Sequence, residues 1–158
     1  MIVVDCGSTD GTPRIAREHG AEVVERAWMG HAAQKNWALD TLAITTPWVL
    51  FLDADEYLTA AASDAIRIAT ASGRADGYLI PRAYVFLGRQ LRYAWWYPDY
   101  QLRLFRRDRG RFEERRVHEH VIVQGPTAAI DEPIMHENLK GLSAVSYTHL
   151  TLPTILRV

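Results

Sequence analysis

The sequence predicts an α/β domain, a mostly parallel sheet flanked by helices, and three observations carry that expectation. Short strand-like runs, "IVVD" (2–5), "AEVVE" (21–25) and "PWVLFLD" (47–53), alternate with helix-sized segments, the pattern of βαβ units. The first and third runs are apolar without alternation, as suits strands covered on both faces. The chain has 158 residues, 48% hydrophobic and 23% charged. That is enough for one domain with a real core and too little for two comfortable ones.

Each element has local support. "IVVD" gives way to the turn-rich "CGSTDGT". A helix follows, with Thr12 placed to cap it, Pro13 at its first position and Gly20 to close it. The strand at 21–25 leads through Gly30 to a helix over about 31–43 that carries "AAQKNWAL". After the strand at 47–53, Thr59 caps a helix reaching Ser72, with Gly73 just beyond. Beyond Gly77 the character changes. "GYLIPRAYVFLGRQLRY" and "YQLRLFRR" alternate like strands, separated by the aromatic "YAWWYPDY" at 93–100. Residues 103–116 hold seven arginines against three acids, and "VHEHVIVQG" and "AIDEPIMHEN" read as strands, each with a His-Glu pair.

Bulk properties exclude several classes. A net charge of −1 gives no global attraction to nucleic acid or anionic lipid. The single cysteine, Cys6, permits no internal disulfide and suits a reducing compartment. No run approaches the ~18 apolar residues of a membrane span, and the N-terminus lacks a signal-peptide pattern. The expected location is the cytoplasm, with peripheral contact at the inner face of the cell membrane left open. The chain starts inside a strand, and "VSYTHLTLPT" (145–154) is similar to a translated sequencing-library adapter. Residues 145–158 are therefore expected to be a non-native tail behind a domain at 1–144.

The strongest chemical signal is "WVLFLDADEY" (48–57), an apolar strand running into Asp53, Asp55 and Glu56. Two carboxylates ~4 Å apart repel by roughly 1 kcal/mol in water and about 4 kcal/mol at an effective dielectric of 20. Two readings fit. A hard divalent cation, Mg²⁺ or Mn²⁺, could offset the repulsion while binding substrate phosphates, or the acids could form a solvated turn ahead of a helix. Asp5 stands at another predicted strand end, so Asp5 and Asp53 could face one crevice at the carboxyl edge of the sheet. Its loop, "VVDCGSTDGT", adds Ser8 for close backbone approach and Asp10 as a further acceptor.

Taken in order, "VVDCGSTDGT", "AAQKN", "LFLDADE" and "RLFRR" followed by "VHE" resemble family 2 glycosyltransferases of the GT-A fold. The nearest branch is the one that includes lipopolysaccharide-core glucosyltransferases. The likeness spans residues 2 to about 140 and implies a GT-A type nucleotide-diphospho-sugar transferase fold, N-terminally truncated, with its first strand and helix missing. It implies inverting, metal-dependent transfer of a hexose from a nucleotide-sugar, a UDP-sugar first, to an envelope glycolipid or polysaccharide acceptor.

The same likeness implies residue roles. Asp5 contacts the nucleotide base, with Ser8 and Asp10 in the same loop. Lys35 meets a phosphate and Asn36 hydrogen-bonds the donor. Asp55 is the first choice of metal ligand, with Asp53 nearer the ribose and His136 approaching the metal or diphosphate. Glu119 is the base that deprotonates the acceptor hydroxyl, and Asp99 competes for that role. Where relatives carry an acidic pair, this chain has His118 before Glu119. Trp95, Trp96 and Tyr97 offer either an acceptor platform or core packing. The arginine cluster could meet an anionic membrane, and no nucleic-acid partner is expected. The rival readings are a nucleotidyltransferase on a similar sheet and an inactive, truncated sugar-nucleotide-binding fragment.

Overall fold

The computed structural model describes residues 1–86, 88–91, 98–113, 120–137 and 153–157, with residue 86 and the last stretch described by backbone only. The first half follows the expected alternation: β1 (Ile2–Asp5), α1 (Thr12–Glu18), β2 (Glu22–Glu25), α2 (His31–Thr41), β3 (Trp48–Asp53), β4 (Glu56–Leu58) and α3 (Ala60–Ser72). The second half is nearly all strand: β5 (Gly77–Phe86), β6 (Arg89–Gln90), β7 (Asp99–Arg106), β8 (Gly110–Phe112), β9 (Val121–Val123), β10 (Thr127–Ala129), β11 (Ile134–Glu137) and β12 (Pro153–Arg157).

Ten of these strands form one sheet in the order β2-β1-β12-β3-β7-β5-β11-β4, with β10 and β6 also paired to β5. Strands β1, β2, β3, β5, β10 and β11 run one way, and β4, β6, β7 and β12 run against them. Strand β12 comes from the segment expected to be a tail. It lies between β1 and β3 and antiparallel to both, where the facing edges of two parallel strands each need hydrogen-bond partners.

Helix ends follow from local chemistry. Thr59 caps α3 by accepting from the Ala62 N–H at 3.1 Å, and Gly73 closes it in the left-handed region at φ 63°. In α1 the cap is Gly11, at φ 84°, one residue earlier than the sequence predicts. Thr12 is already inside the helix, because Asp10 accepts from both its N–H (3.1 Å) and its hydroxyl (2.6 Å).

The apolar run of β3 divides between two cores, which is why it shows no alternation. Val49 and Phe51 join Ile2, Val4, Leu39, Phe105 and Phe112 on the α2 side. Trp48, Leu50 and Leu52 join Ile66, Ile80, Leu104 and Ile134 on the α3 side. Phe51, Leu50 and Val49 are wholly buried, each contributing roughly 1.5–3 kcal/mol of transfer free energy. The antiparallel β8–β9 ribbon lies over the first core through Phe112, Val121 and Val123.

One irregularity matters for the site. Along the β5–β7 ladder, Tyr78 pairs with Leu104 but Leu79 pairs with Leu102, so Arg103 is the extra residue of a β-bulge. The bulge breaks the two-residue alternation: Leu102 packs on the α2 side although Leu104 packs on the α3 side. Bulges of this kind re-aim a side chain beside a functional edge.

Candidate functional site

Strands β1 and β3 point the same way, one strand apart, so Asp5 and Asp53 stand at the same edge of the sheet. The Asp5 carboxylate is nearly wholly buried. Its Oδ2 accepts the N–H groups of Gly7 and Ser8, both at 2.8 Å, and Gly7 adopts φ 95° to make the turn. Burial alone would raise the Asp5 pKa, but hydrogen bonds from the Ser8 hydroxyl and from the Ser8 and Gly7 amides outweigh it and hold the pKa below its ordinary value. The other oxygen, Oδ1, is buried with no partner, as is Oε1 of the neighbouring Gln34, whose Nε2 lies 3.6 Å from Cys6 Sγ. Burial, with Asp5 adding to it, pushes the Cys6 thiol up, so it stays protonated.

At the end of β3 the clustered acids have internal partners. Arg103 Nη2 donates to Asp53 Oδ2 at 2.8 Å and to Glu56 Oε1 at 2.9 Å. Lys35 Nζ lies 3.6 Å from Asp53 Oδ1, and Arg82 Nη1 lies 3.9 Å from Glu56 Oε1. Arg82 Nη2 continues to Asp99 Oδ2 at 2.8 Å. The result is an alternating ladder, Lys35–Asp53–Arg103–Glu56–Arg82–Asp99, with as many cations as anions. Burial would raise Asp53, but Arg103 and Lys35 outweigh it and hold its pKa at about 2. Glu56 has no exposed side-chain surface, and burial pushes its pKa up against the opposing pull of Arg103.

Asp55 stands outside that ladder. Its Oδ1 lies 3.6 Å from His136 Nδ1, and both atoms are buried without a hydrogen-bond partner. The register of β4 on β11 sets Glu56 opposite His136, and the Glu137 N–H donates to the Asp55 carbonyl at 2.9 Å. Burial lowers the His136 pKa, with Asp55 opposing, so the imidazole is neutral at pH 7 and one ring nitrogen offers a lone pair. An orphaned carboxylate oxygen facing an orphaned imidazole nitrogen is a donor set that fits a divalent cation. Among the described residues no group of three His, Cys, Asp or Glu could hold a metal. Any further ligands would come from substrate phosphate, water or residues outside those described.

Several expected site residues have structural partners. Both ends of the Asn36 amide are engaged by Phe112, whose carbonyl accepts at 2.8 Å and whose N–H donates at 3.0 Å. This fastens α2 to β8. Asp99 accepts from Arg82, from Gln101 Nε2 at 2.7 Å and from the Tyr84 hydroxyl at 3.5 Å. Asp10 serves the start of α1. Glu119, His118, Trp95, Trp96 and Tyr97 lie outside the described residues.

Comparison with known proteins decides the family. The pattern of Glycosyl transferase family 2 matches residues 1–122. The chain belongs to glycosyltransferase family 2. Its fold is accordingly of the GT-A type. An uncharacterized glycosyltransferase of Rickettsia conorii is 44% identical over 79 residues, 50% of this chain and 27% of that protein. The homologous protein of Rickettsia felis is 42% identical over the same length. The lipopolysaccharide core biosynthesis glycosyltransferase LpsC of Rhizobium meliloti is 28% identical over 158 residues, 87% of this chain and 58% of LpsC. The match thus spans about a quarter of the Rickettsia proteins. No solved structure gives a significant match.

Of the residues that the sequence of this glycosyltransferase-family chain singles out, Asp53, Asp55 and His136 lie together at the end of β3, joined there by Arg82, Arg103 and Glu56, whose ladder no local pattern announces. Arg103 belongs to the arginine cluster expected to meet an anionic membrane, but in the structure it pairs with Asp53 and Glu56 instead. The cue is faint: "LRLFRR" puts an arginine between two leucines of a strand in which Leu104 and Phe105 are buried.

Proposed function

We propose that the chain is the donor-binding part of an inverting, metal-dependent glycosyltransferase. It would move a hexose from a UDP-sugar to an envelope glycolipid or polysaccharide acceptor. The observation that carries the reading is the pairing of orphaned Asp55 Oδ1 with orphaned His136 Nδ1 beside a charge-balanced ladder. The family assignment and the name of the LpsC relative support the sugar-transfer class and an envelope acceptor.

In this reading Asp5 receives a donor group of the nucleotide base on its unpartnered Oδ1, and Asp53 lies toward the ribose. Asp55 and His136 hold Mg²⁺ or Mn²⁺, which when bound would neutralise charge on the diphosphate. Glu119 takes the acceptor hydroxyl proton as that oxygen bonds to the anomeric carbon. The bond from that carbon to the diphosphate breaks on the opposite face, so the configuration inverts and nucleoside diphosphate leaves. Glu119 is preferred to Asp99 as the base because the Asp99 oxygens are already engaged by three donors.

Release of UDP from UDP-glucose in the presence of Mn²⁺ and an acceptor lipid extract tests the proposal. Asp55→Ala is expected to lower the rate at least 100-fold, and unchanged turnover in that variant would remove Asp55 from the mechanism. Release of pyrophosphate in place of UDP would favour a nucleotidyltransferase.

A further inference from the structure

The turn that carries Asp55 is fastened from beneath by a residue pair that the metal reading does not use. Asp53 and Glu56 are the first and fourth residues of the turn between β3 and β4. Glu56 reaches back so that its Oε2 accepts the Asp53 N–H at 2.9 Å. Its other oxygen takes the Arg103 guanidinium, and the same Nη2 atom also binds Asp53 Oδ2. Arg103, which makes both contacts, is the bulged residue of β7. The backbone and both flanking side chains of the turn are therefore tied to one buried guanidinium. The Asp53 carboxylate is engaged on both oxygens, by Arg103 and by Lys35.

We propose that Arg103 and Glu56 are positioning residues, a strut that withholds Asp53 from the cation and fixes the turn so that Asp55 alone of the three acids faces it. The strut rests on the donor-site reading above, and it assigns a role to residues that neither touch the ion nor the reacting atoms. Three clustered acids with no strut would compete for one ion and repel one another once it left. With the strut, Asp53 and Glu56 are neutralised by the protein whether or not a ligand is present. The metal's affinity then depends on Asp55, His136 and the donor phosphates, which couples metal binding to nucleotide binding.

That coupling is measurable without turnover. Calorimetric titration of UDP into the full chain, with and without Mn²⁺, gives the factor by which the metal tightens UDP. The expected factor in the wild type is at least tenfold. Glu56→Gln keeps the shape and one acceptor but loses the charge. Arg103→Lys keeps the charge on a shorter side chain, which does not reach the position from which Nη2 meets both carboxylates. Both are expected to cut the factor at least fivefold while metal-free UDP affinity stays within twofold, a pattern that a general loss of stability would not produce. A crystal structure of the wild type with Mn²⁺ and UDP is a check independent of how well the variants fold: Asp53 should remain on Arg103 and Lys35. Variants that keep the full factor, or an Asp53 oxygen bonded directly to Mn²⁺ with Arg103 displaced, would overturn the strut and leave the donor site standing. A wild type that binds UDP equally with and without Mn²⁺ would overturn the donor-site reading and the strut with it.

Discussion

Arg103 decides the electrostatics of the site. The sequence shows three acids at a strand end and invites a cation to balance them, yet most of the balance comes from side chains far away in the chain. Arg103 lies 50 residues from Asp53, and no local pattern announces such a pairing. The consequence is a definite pH dependence. The folded-state pKa of Asp53, about 2, is below its ordinary 3.8. Its stabilisation is therefore complete above about pH 4 and is lost as pH falls toward 2. The loss is roughly 2 kcal/mol at full protonation. Urea unfolding between pH 5 and pH 2 should show this decline, and Asp53→Asn should flatten that part of the profile. Glu56 acts in the opposite sense, since its raised value means that lowering the pH toward it relieves a cost. What was legible at this scale was the cluster of acids at the end of β3. The partners were not legible, because they come from strands far apart in the chain.

Among elements, the helices and parallel strands of the first half were legible, whereas β4, at residues read as a turn, was not. The helices carry their own punctuation: Thr59 and Gly73 bound α3 as expected, and Pro13 sits in the first turn of α1. The second half resisted because its strands take their order from pairing across long separations, with β5 alone contacting β6, β7, β10 and β11. Asn36 shows the limit well. In sequence it belongs to a motif-like "QKN", but in space it is the clasp between α2 and β8. The ribbon that this clasp holds depends on one close approach. A Cβ added at Gly110 would stand 2.1 Å from Phe105 Cδ2, in a group where Phe51 stacks on Phe105 and Phe112 meets both rings edge-on. Gly110→Ala should therefore destabilise the protein by about 1–3 kcal/mol, the cost of overpacking a core. Chemical denaturation that finds less than about 0.5 kcal/mol would mean that the ring moves aside freely.

At the level of the whole molecule, one strand closes the sheet. Strand β12 pairs with β3 over Pro153–Arg157 and with β1 at Thr154 and Ile155, joining the part of the sheet that carries Asp5 to the part that carries Asp53. Removing residues 145–158 leaves two parallel strands facing a gap. It should cost roughly 3 kcal/mol or more, a drop in Tm of about 10 °C for a domain of this size. An unchanged Tm would show that β1 and β3 do not need β12.

The account as a whole depends on a single ion joining Asp55 and His136 to a nucleotide held near Asp5. Titration of Mn²⁺ into the chain, followed by the loss of the free-ion electron paramagnetic resonance signal, tests that most directly. One site per chain is expected, tightened at least tenfold by saturating UDP and abolished in Asp55→Ala. Equal Mn²⁺ binding by the wild type and Asp55→Ala, unaffected by UDP, would contradict it.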